Sequence, residues 1–316
     1  MPKFLSAVAL SLLLISPLQA QAGLTLEWQE DTAVNAQLPT PIRLYKGAGR
    51  LPNGSPVKAH YSITELASDQ VQLTAAMSET GFRKPSELAA ANPERVFVCI
   101  NGGFFTQTGS VSLLIREGEI LARNIHALQR SNRTYYPTRG AFGVDKQRQG
   151  SIDWVYHLEQ TVYRYPRVSA NSLSAAPLPQ PSKTYPYKGT IWNKEHAVGG
   201  GPILIRNGVR VDNLGHELFP KDIVASVAPR TAIGLTDDNR LIMLVVDGRQ
   251  PEFSVGVSLE QLTDLLLQLG SVDAMNLDGG GSSVMLVRGE VVNRPSDGRE
   301  RAVKTALMIT ERAAIK

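Results

Sequence analysis

Apolar residues along most of the chain form short runs that end at turns rich in Gly, Asn or Asp. Such runs, bounded by turn residues, are typical of β-strands. Several are joined across tight turns, such as Arg116-Glu117-Gly118, Arg206-Asn207-Gly208 and Arg288-Gly289-Glu290, which predict hairpins. The predicted strands are 42–46, 57–66, 71–76, 96–100, 112–122, 141–144, 152–156, 203–211, 231–247, 273–277, 283–293 and 303–310.

Two segments show a helical pattern instead. Ser258 and Gln261 form a capping box, leucines follow at a period of 3.6 residues, and Gly270 ends the segment. A shorter helix is predicted near 86–91. We therefore expect an α+β fold, in which a mixed, mostly antiparallel sheet carries a few packed helices within a single domain.

The first residues predict export. Lys3 precedes an apolar run from Phe4 to Ile15, Pro17 interrupts it, and Ala20-Gln21-Ala22 matches a cleavage site. We expect residues 1–22 to be a signal peptide, with a periplasmic or secreted protein and no stable membrane anchor after cleavage. Residues 23–95 are expected to be a variable lead-in, and the Pro-rich stretch 170–189 a long loop.

Composition adds mainly exclusions. Of the 316 residues, 42% are hydrophobic and 20% charged, as in an ordinary globular protein. The net charge of +4 is spread along the chain without a Lys/Arg block, so no nucleic-acid partner is expected. Cys99 is the one cysteine and lies in an apolar run, which predicts a buried thiol without a disulfide.

Five segments place polar residues directly after predicted strands, where a rigid scaffold can present them. Glycine runs let backbone N–H groups surround an anion, arginine binds phosphate or carboxylate bidentately, and carboxylates serve as acid, base or nucleophile. One such turn is more often structural, but five in one chain favour a functional site. The segments are Asn101-Gly102-Gly103-Phe104-Phe105, Gly199-Gly200-Gly201-Pro202, Pro229-Arg230-Thr231-Ala232, Asp247-Gly248-Arg249 and the stretch from Asn276 to Ser283.

The sequence lacks the motifs of common nucleotide-binding loops, zinc sites and nucleophilic serines. The sequence contains neither G-x-x-x-x-G-K-[ST] nor G-x-G-x-x-G, and no Cys/His spacing typical of zinc. We therefore expect no metal and no cofactor. Without a G-x-S-x-G elbow, Ser282 and Ser283 are expected to donate hydrogen bonds or form a turn rather than act as nucleophiles. His196 precedes the Gly199 turn closely enough to reach a ligand there.

The order and spacing of the five segments resemble the phosphodiester glycosidase family. The resemblance covers residues 96–312, is densest from Arg230 to Asp297, and extends to Asn293 and Arg301. It implies that 96–312 form the catalytic domain. It also implies hydrolysis of a sugar-1-phosphodiester at the glycosidic C–O bond, releasing free sugar and a phosphomonoester.

The resemblance also implies residue roles. Asp278 is the favoured catalytic carboxylate and Asp247 the second, while Arg230 holds the phosphate with Arg249 or Arg301 behind it. The residues expected to bind substrate are Asn101, Gly102, Phe104, Gly199, Gly200, Gly201, Thr231, Arg249, Asn276, Gly279, Gly280, Gly281, Ser282, Asp297 and Arg301.

Two other functions stay open. A phosphodiesterase that cleaves the P–O bond would use the same glycines and arginines around phosphorus. A non-catalytic envelope protein would use them to bind anionic glycans. In the leading hypothesis the substrate is a sugar phosphate or phosphoglycan, with envelope or extracellular glycans as the expected source.

Overall fold

The computed structural model of the protein describes residues 24–313. The predicted signal peptide, 1–22, lies outside the described residues. No helix within 24–313 has the length and apolar character needed to cross a membrane.

Strands account for most of the regular structure. In chain order they are β1 (Glu27–Glu30), β2 (Ile42–Arg50), β3 (Pro56–Glu65), β4 (Val71–Met77), β5 (Val96–Asn101), β6 (Phe105–Thr106), β7 (Gly109–Ser110), β8 (Leu114–Arg116), β9 (Glu119–Ala122), β10 (Leu128–Arg130), β11 (Arg133–Tyr135), β12 (Arg139–Val144), β13 (Gly150–Leu158), β14 (Thr161–Tyr165), β15 (Thr190–Ile191), β16 (His196–Gly200), β17 (Ile203–Arg206), β18 (Val209–Arg210), β19 (Arg230–Leu235), β20 (Arg240–Val246), β21 (Asp273–Asn276), β22 (Met285–Val287), β23 (Glu290–Val291) and β24 (Thr305–Glu311). The helices are α1 (Thr32–Asn35), α2 (Pro85–Ala90), α3 (Lys221–Ala225) and α4 (Leu259–Gln268), with 3-10 turns at Leu214–Glu217 and Gly280–Ser282.

Three large sheets organise these strands. An eight-stranded sheet has the order β1-β2-β3-β20-β19-β21-β17-β18. A seven-stranded sheet has the order β15-β14-β13-β12-β16-β8-β9, and a five-stranded sheet the order β23-β22-β5-β24-β4. The pairs β6-β7 and β10-β11 form two small ribbons. The strands are joined in antiparallel pairs, as the hairpin turns in the sequence indicated.

The predicted α+β class is wrong. Residues 24–313 are mostly β, with 42% strand and 11% helix, the latter in four short helices and two 3-10 turns. The physical reason lies in the core, where one cluster of buried side chains includes Leu44 of β2, Leu73 of β4, Phe142 of β12, Ile233 of β19 and Ile309 of β24. Because the sheets cover one another's apolar faces, helices are not needed for that task.

The leucine-rich helix was predicted correctly in place and capping. α4 begins after Ser258, whose side chain accepts a hydrogen bond from Gln261 N, and Gln261 completes the capping box. Its leucines pack on the opposite face of the eight-stranded sheet, in a second buried cluster with Ala232 and Leu244. The expected burial of Cys99 is also confirmed, since its side chain is inaccessible to solvent.

Candidate active site

Strand ends from all three large sheets meet at one place. Asn101 at the end of β5 donates to the carbonyl oxygen of Asp278, just beyond β21, at 2.7 Å. The N–H of Gly201, just beyond β16, donates to the carbonyl oxygen of Asn276 at 2.7 Å. Arg230 at the start of β19 lies opposite the last residue of β20, which leads into Asp247. The structure therefore brings the five predicted segments together.

Asn101 and Thr231 hold this junction from within. Asn101 Oδ1 accepts hydrogen bonds from Thr231 Oγ1 at 2.7 Å and from Val284 N at 3.2 Å. Its Nδ2 is taken by the Asp278 carbonyl, and both side chains are buried. Since these polar atoms are already paired, the two residues fix the loop that carries Asp278, and their predicted contact with substrate stays a prediction.

The glycines lie where neighbouring groups leave no room for a side chain. A Cβ on Gly281 would overlap the Arg301 guanidinium and the Asp297 carboxylate, and one on Gly102 would overlap Thr305. Gly280 has a φ of +61°, which an L side chain rarely adopts. The predicted glycine loop therefore allows Arg301 to approach the turn that follows Asp278.

Of the two strand-end carboxylates, Asp278 is more exposed than Asp247. Its side chain is half-buried, and Oδ1 accepts a hydrogen bond from Gly279 N at 3.0 Å. Burial raises the pKa of Asp278 to about 6, against the opposing influence of Ser282, the Gly279 N–H and the charge of Arg301. A carboxylate with this pKa is mostly ionised at neutral pH and can accept a proton from water.

Asp247 has a different environment. Its side chain is 1% exposed, and Oδ1 accepts hydrogen bonds from Asn293 Nδ2 and Arg294 N, both at 2.9 Å. Oδ2 is buried and has no hydrogen-bond partner within the described residues. Burial raises the pKa of Asp247 to about 6, although the two hydrogen bonds oppose the rise. Asn293 belongs to the matching motif, but sequence reasoning did not assign it this contact.

Arg230 is less available than expected. Its Nε donates to the Val257 carbonyl at 3.1 Å, Nη1 to the Ile223 carbonyl at 2.9 Å, and Nη2 to the Ser226 carbonyl. Burial, with the nearby charge of Arg249 as a second cause, lowers the pKa of Arg230 to about 10. One Nη1 hydrogen has no acceptor among residues 24–313, and phosphate binding by Arg230 stays a prediction.

Arg249 and Arg301 bring exposed positive charge to the turn beyond Asp278. A Cβ on Gly280 would lie 3.1 Å from Arg249 Nη2, so this guanidinium faces the turn directly. Arg301 donates from Nε and Nη2 to Asp297 Oδ2 at 3.0 and 2.7 Å, and this pair fixes its orientation. The two arginines make this side of Asp278 suitable for an anion.

An aromatic pocket adjoins the junction at Gly200, and the sequence predicted only part of it. We define it by Phe104, Asn124, Arg139, Gly200 and Phe219, which line a cavity of about 230 Å³. The rings of Phe104 and Phe219 lie 5.0 Å apart, and the Arg139 guanidinium lies 3.8 Å from the Phe219 ring centroid. Asn124 Nδ2 and Arg139 Nε are buried without a hydrogen-bond partner in the described part of the chain.

A buried carboxylate supports the wall of the aromatic pocket. Glu217 accepts hydrogen bonds from Gly140 N at 2.8 Å, Ile203 N at 2.7 Å and Trp154 Nε1 at 2.9 Å. Burial raises the pKa of Glu217, against these donors and the charge of Arg139. Because Glu217 lies in an irregular segment without a strand pattern, no local signal in the sequence predicted this role.

Five of the glycines predicted to bind substrate use their N–H groups within the fold, namely Gly102, Gly199, Gly201, Gly279 and Gly280. Gly199 N donates to the Leu113 carbonyl at 2.7 Å, and Gly280 N donates to the Pro229 carbonyl at 2.9 Å. His196 lies at the end of β16 away from Gly200, where its Nδ1 accepts from Ala75 N at 3.4 Å. Residues 24–313 contain no group of three His, Cys, Asp or Glu side chains arranged to hold a metal ion.

Residues 94–310 match the sequence model of a family described as phosphodiester glycosidase. The chain belongs to the phosphodiester glycosidase family. This confirms the resemblance found in the motifs and the enzyme class it implies.

Two named proteins are similar to this chain in sequence. The human N-acetylglucosamine-1-phosphodiester alpha-N-acetylglucosaminidase is 35% identical over 202 residues, or 63% of this chain and 33% of that protein. The bovine enzyme of the same name is 25% identical over 224 residues, or 68% of this chain and 36% of that protein. The chain thus spans about a third of the length of these two relatives.

A solved structure shares the fold of this chain. The zebrafish N-acetylglucosamine-1-phosphodiester alpha-N-acetylglucosaminidase catalytic domain, described as auto-inhibited by its pro-peptide, superposes with a TM-score of 0.60 at 20% identity. The match covers 92% of this chain and 89% of that chain. At this identity the likeness concerns the fold.

Proposed function

We propose that this protein hydrolyses the glycosidic C–O bond of a sugar-1-phosphodiester, giving free sugar and a phosphomonoester. One observation carries the proposal: the guanidinium groups of Arg249 and Arg301 face the turn that follows Asp278. The names of the human and bovine relatives, which refer to an N-acetylglucosamine-1-phosphodiester, support the same chemistry.

The phosphate binds on the cationic side. A phosphodiester carries one negative charge, and the leaving phosphomonoester carries a second as the C–O bond breaks. Arg249 faces the turn after Asp278, and Arg301 is fixed there by Asp297. Positive groups already oriented toward developing charge stabilise the transition state more than the ground state. Arg230 adds its positive charge from beneath the loop.

The sugar binds in the aromatic pocket. Phe104 and Phe219 offer apolar surface to a pyranose ring or an acyl methyl group. Asn124 Nδ2 and Arg139 Nε have no acceptor among residues 24–313. An acetamido group combines one methyl group with one carbonyl acceptor, so it complements both kinds of surface. We therefore infer an N-acetylated amino sugar, and the cavity of about 230 Å³ suits a single residue better than a longer glycan.

Asp278 acts on the nucleophile. Phosphate is a good leaving group, so the leaving oxygen needs less protonation than in ordinary glycosidases. In the step we propose, Asp278 accepts a proton from water while the water oxygen bonds to the anomeric carbon. The C–O bond breaks at the same time, and its electron pair leaves with the phosphate. Asp247 is the second candidate for this role, and its more buried position favours electrostatic support.

The biological setting follows the sequence prediction. We propose that residues 1–22 direct export, that 23–95 are a variable lead-in and that 96–312 carry the catalytic residues. Periplasmic or secreted enzyme then meets sugar phosphates in envelope or extracellular glycans. The apolar amino-terminal run and its cleavage pattern support export.

The test is hydrolysis of UDP-N-acetylglucosamine in ¹⁸O-labelled water. We expect the label in the released sugar, because water attacks the anomeric carbon, and none above background in the phosphate. Asp278→Asn is the matched inactive control, since it keeps the shape of the side chain. Label in the phosphate instead would mean P–O cleavage and a phosphodiesterase. Binding of sugar phosphates without turnover of any diester would point to a non-catalytic glycan-binding protein.

A further inference from the structure

A second basic cavity adjoins the turn after Asp278. Lys84, Asp297, Arg299 and Arg301 are among the residues that line its volume of about 410 Å³. It is connected to the candidate active site through Arg301, which packs directly against Gly281 and influences the pKa of Asp278. We call this space the outer basic cavity.

The acidic residues of the outer basic cavity are already engaged. Asp297 accepts two hydrogen bonds from Arg301, and Glu300 Oε2 accepts one from Ser86 N at 2.9 Å. The Lys84 and Arg299 side chains, in contrast, make neither an ion pair nor a side-chain hydrogen bond among residues 24–313. The cavity lining therefore carries three cations (Lys84, Arg299 and Arg301) against two carboxylates (Asp297 and Glu300), an excess of one positive charge beyond the position proposed for the scissile phosphate.

A substrate passing through the site extends in this direction. The proposed sugar position is the aromatic pocket, and the scissile phosphate follows at Arg249 and Arg301. The group on the far side of that phosphate then lies toward Lys84 and Arg299. An aglycone with neutral hydroxyls alone would leave this excess of positive charge in place, whereas a second phosphate or a carboxylate would balance it.

We propose that the outer basic cavity binds a second anionic group on the aglycone, the part of the substrate beyond the scissile phosphate. The preferred substrate class is then a sugar-1-phosphodiester whose aglycone itself carries phosphate or carboxylate. This inference rests on the proposed function, because it takes the positions of sugar and scissile phosphate from it.

The experiment compares two synthetic N-acetylglucosamine-1-phosphodiesters. One has a propyl aglycone, and the other a propyl chain ending in phosphate. The measured quantity is the ratio of kcat/KM for the phosphorylated over the neutral substrate. At low ionic strength we expect this ratio to be lower by about tenfold in the Lys84→Gln/Arg299→Gln variant than in the unmodified protein, and the difference to shrink in high salt.

Arg83→Gln is the matched control. Arg83 is exposed and adjacent to Lys84 in the chain, but it does not line the outer basic cavity. We expect this variant to keep the ratio of the unmodified protein. A ratio near one in the unmodified protein, an unchanged ratio in the double variant, or an equal fall in Arg83→Gln would each overturn the inference while leaving the glycosidase activity in place.

Failure of the proposed function gives a different result. The unmodified protein would then either hydrolyse neither substrate or, in ¹⁸O-labelled water, place the label in the phosphate product. The cavity is tested separately by calorimetric titration with inorganic pyrophosphate. Binding that disappears in the double variant and persists in Arg83→Gln supports the anion subsite. Absence of binding to the unmodified protein overturns it.

Discussion

Replacement of Asp247 by asparagine is expected to stabilise the protein at neutral pH. The Asp247 carboxylate is 1% exposed, and one of its oxygens has no hydrogen-bond partner among residues 24–313. An asparagine oxygen can accept the same two hydrogen bonds from Asn293 and Arg294. Its amide has the shape of the protonated carboxyl group but never carries the buried charge.

The magnitude follows from the pKa of Asp247. Burial raises this pKa from 3.8 to about 6, so the folded state binds a proton that the unfolded state has already released between these pH values. Stability of the unmodified protein therefore falls as pH rises through this window. The rise corresponds to about 3 kcal/mol, an upper bound for the advantage of Asp247→Asn at pH 7. Near pH 3.5 the advantage is expected to vanish.

Urea unfolding at pH values from 4 to 7 measures this difference through the midpoint at constant m-value. Asp237→Asn is the control, because Asp237 is exposed in a turn. This substitution removes one negative charge that is not buried. An advantage for Asp247→Asn that does not change with pH, or a loss of stability at pH 7, would refute the reasoning.

Three further changes test the site. Asp278→Asn should lower kcat/KM by about a thousandfold, and since the pKa of Asp278 is about 6, activity of the unmodified protein should fall as pH drops below 6; a loss under tenfold contradicts the assigned role. Asn101→Ala should cost about 2–4 kcal/mol in thermal unfolding, because it leaves Val284 N and the Asp278 carbonyl unpaired; unchanged stability would show that water replaces the amide. Gly281→Ala should lower kcat/KM about tenfold, because the added methyl group displaces Arg301. The double variant Gly281→Ala/Arg301→Gln should then lose no more activity than Arg301→Gln alone; additive losses would mean that the methyl group acts elsewhere.

The strands and the capped helix were predictable because their signals are local. Alternating or continuous apolar runs ended at turns, and Ser258 with Gln261 marked the start of α4. The fold class was predicted wrongly because one strong helical pattern suggested more helix than the structure contains. The other three helices are only four to six residues long. Which sheet covers which depends on contacts between distant strands, and these leave no periodic signal.

The candidate site also combines features that have a local sequence signal with features that depend on distant contacts. The motifs located Asp278, Asp247 and the glycines at one junction, since each follows a strand end. The sequence could not show that the Asn101 side chain forms hydrogen bonds within the fold, because its partners are distant in the chain. Phe219 and the burial of Arg139 were also missed, since both depend on an irregular segment folding back over the aromatic pocket.

The order of strands determines how much of the chain must be present before the sheets can form. β3 lies between β2 and β20, and β24 lies between β4 and β5, so early strands wait for partners near the carboxyl terminus. The entropy of closing such long loops must be lost before the contacts repay it, which slows folding. A nascent chain stopped before residue 305 would expose β4 and β5 as open edges. The last strand therefore completes the fold, and shortened chains are expected to aggregate rather than form a smaller stable unit.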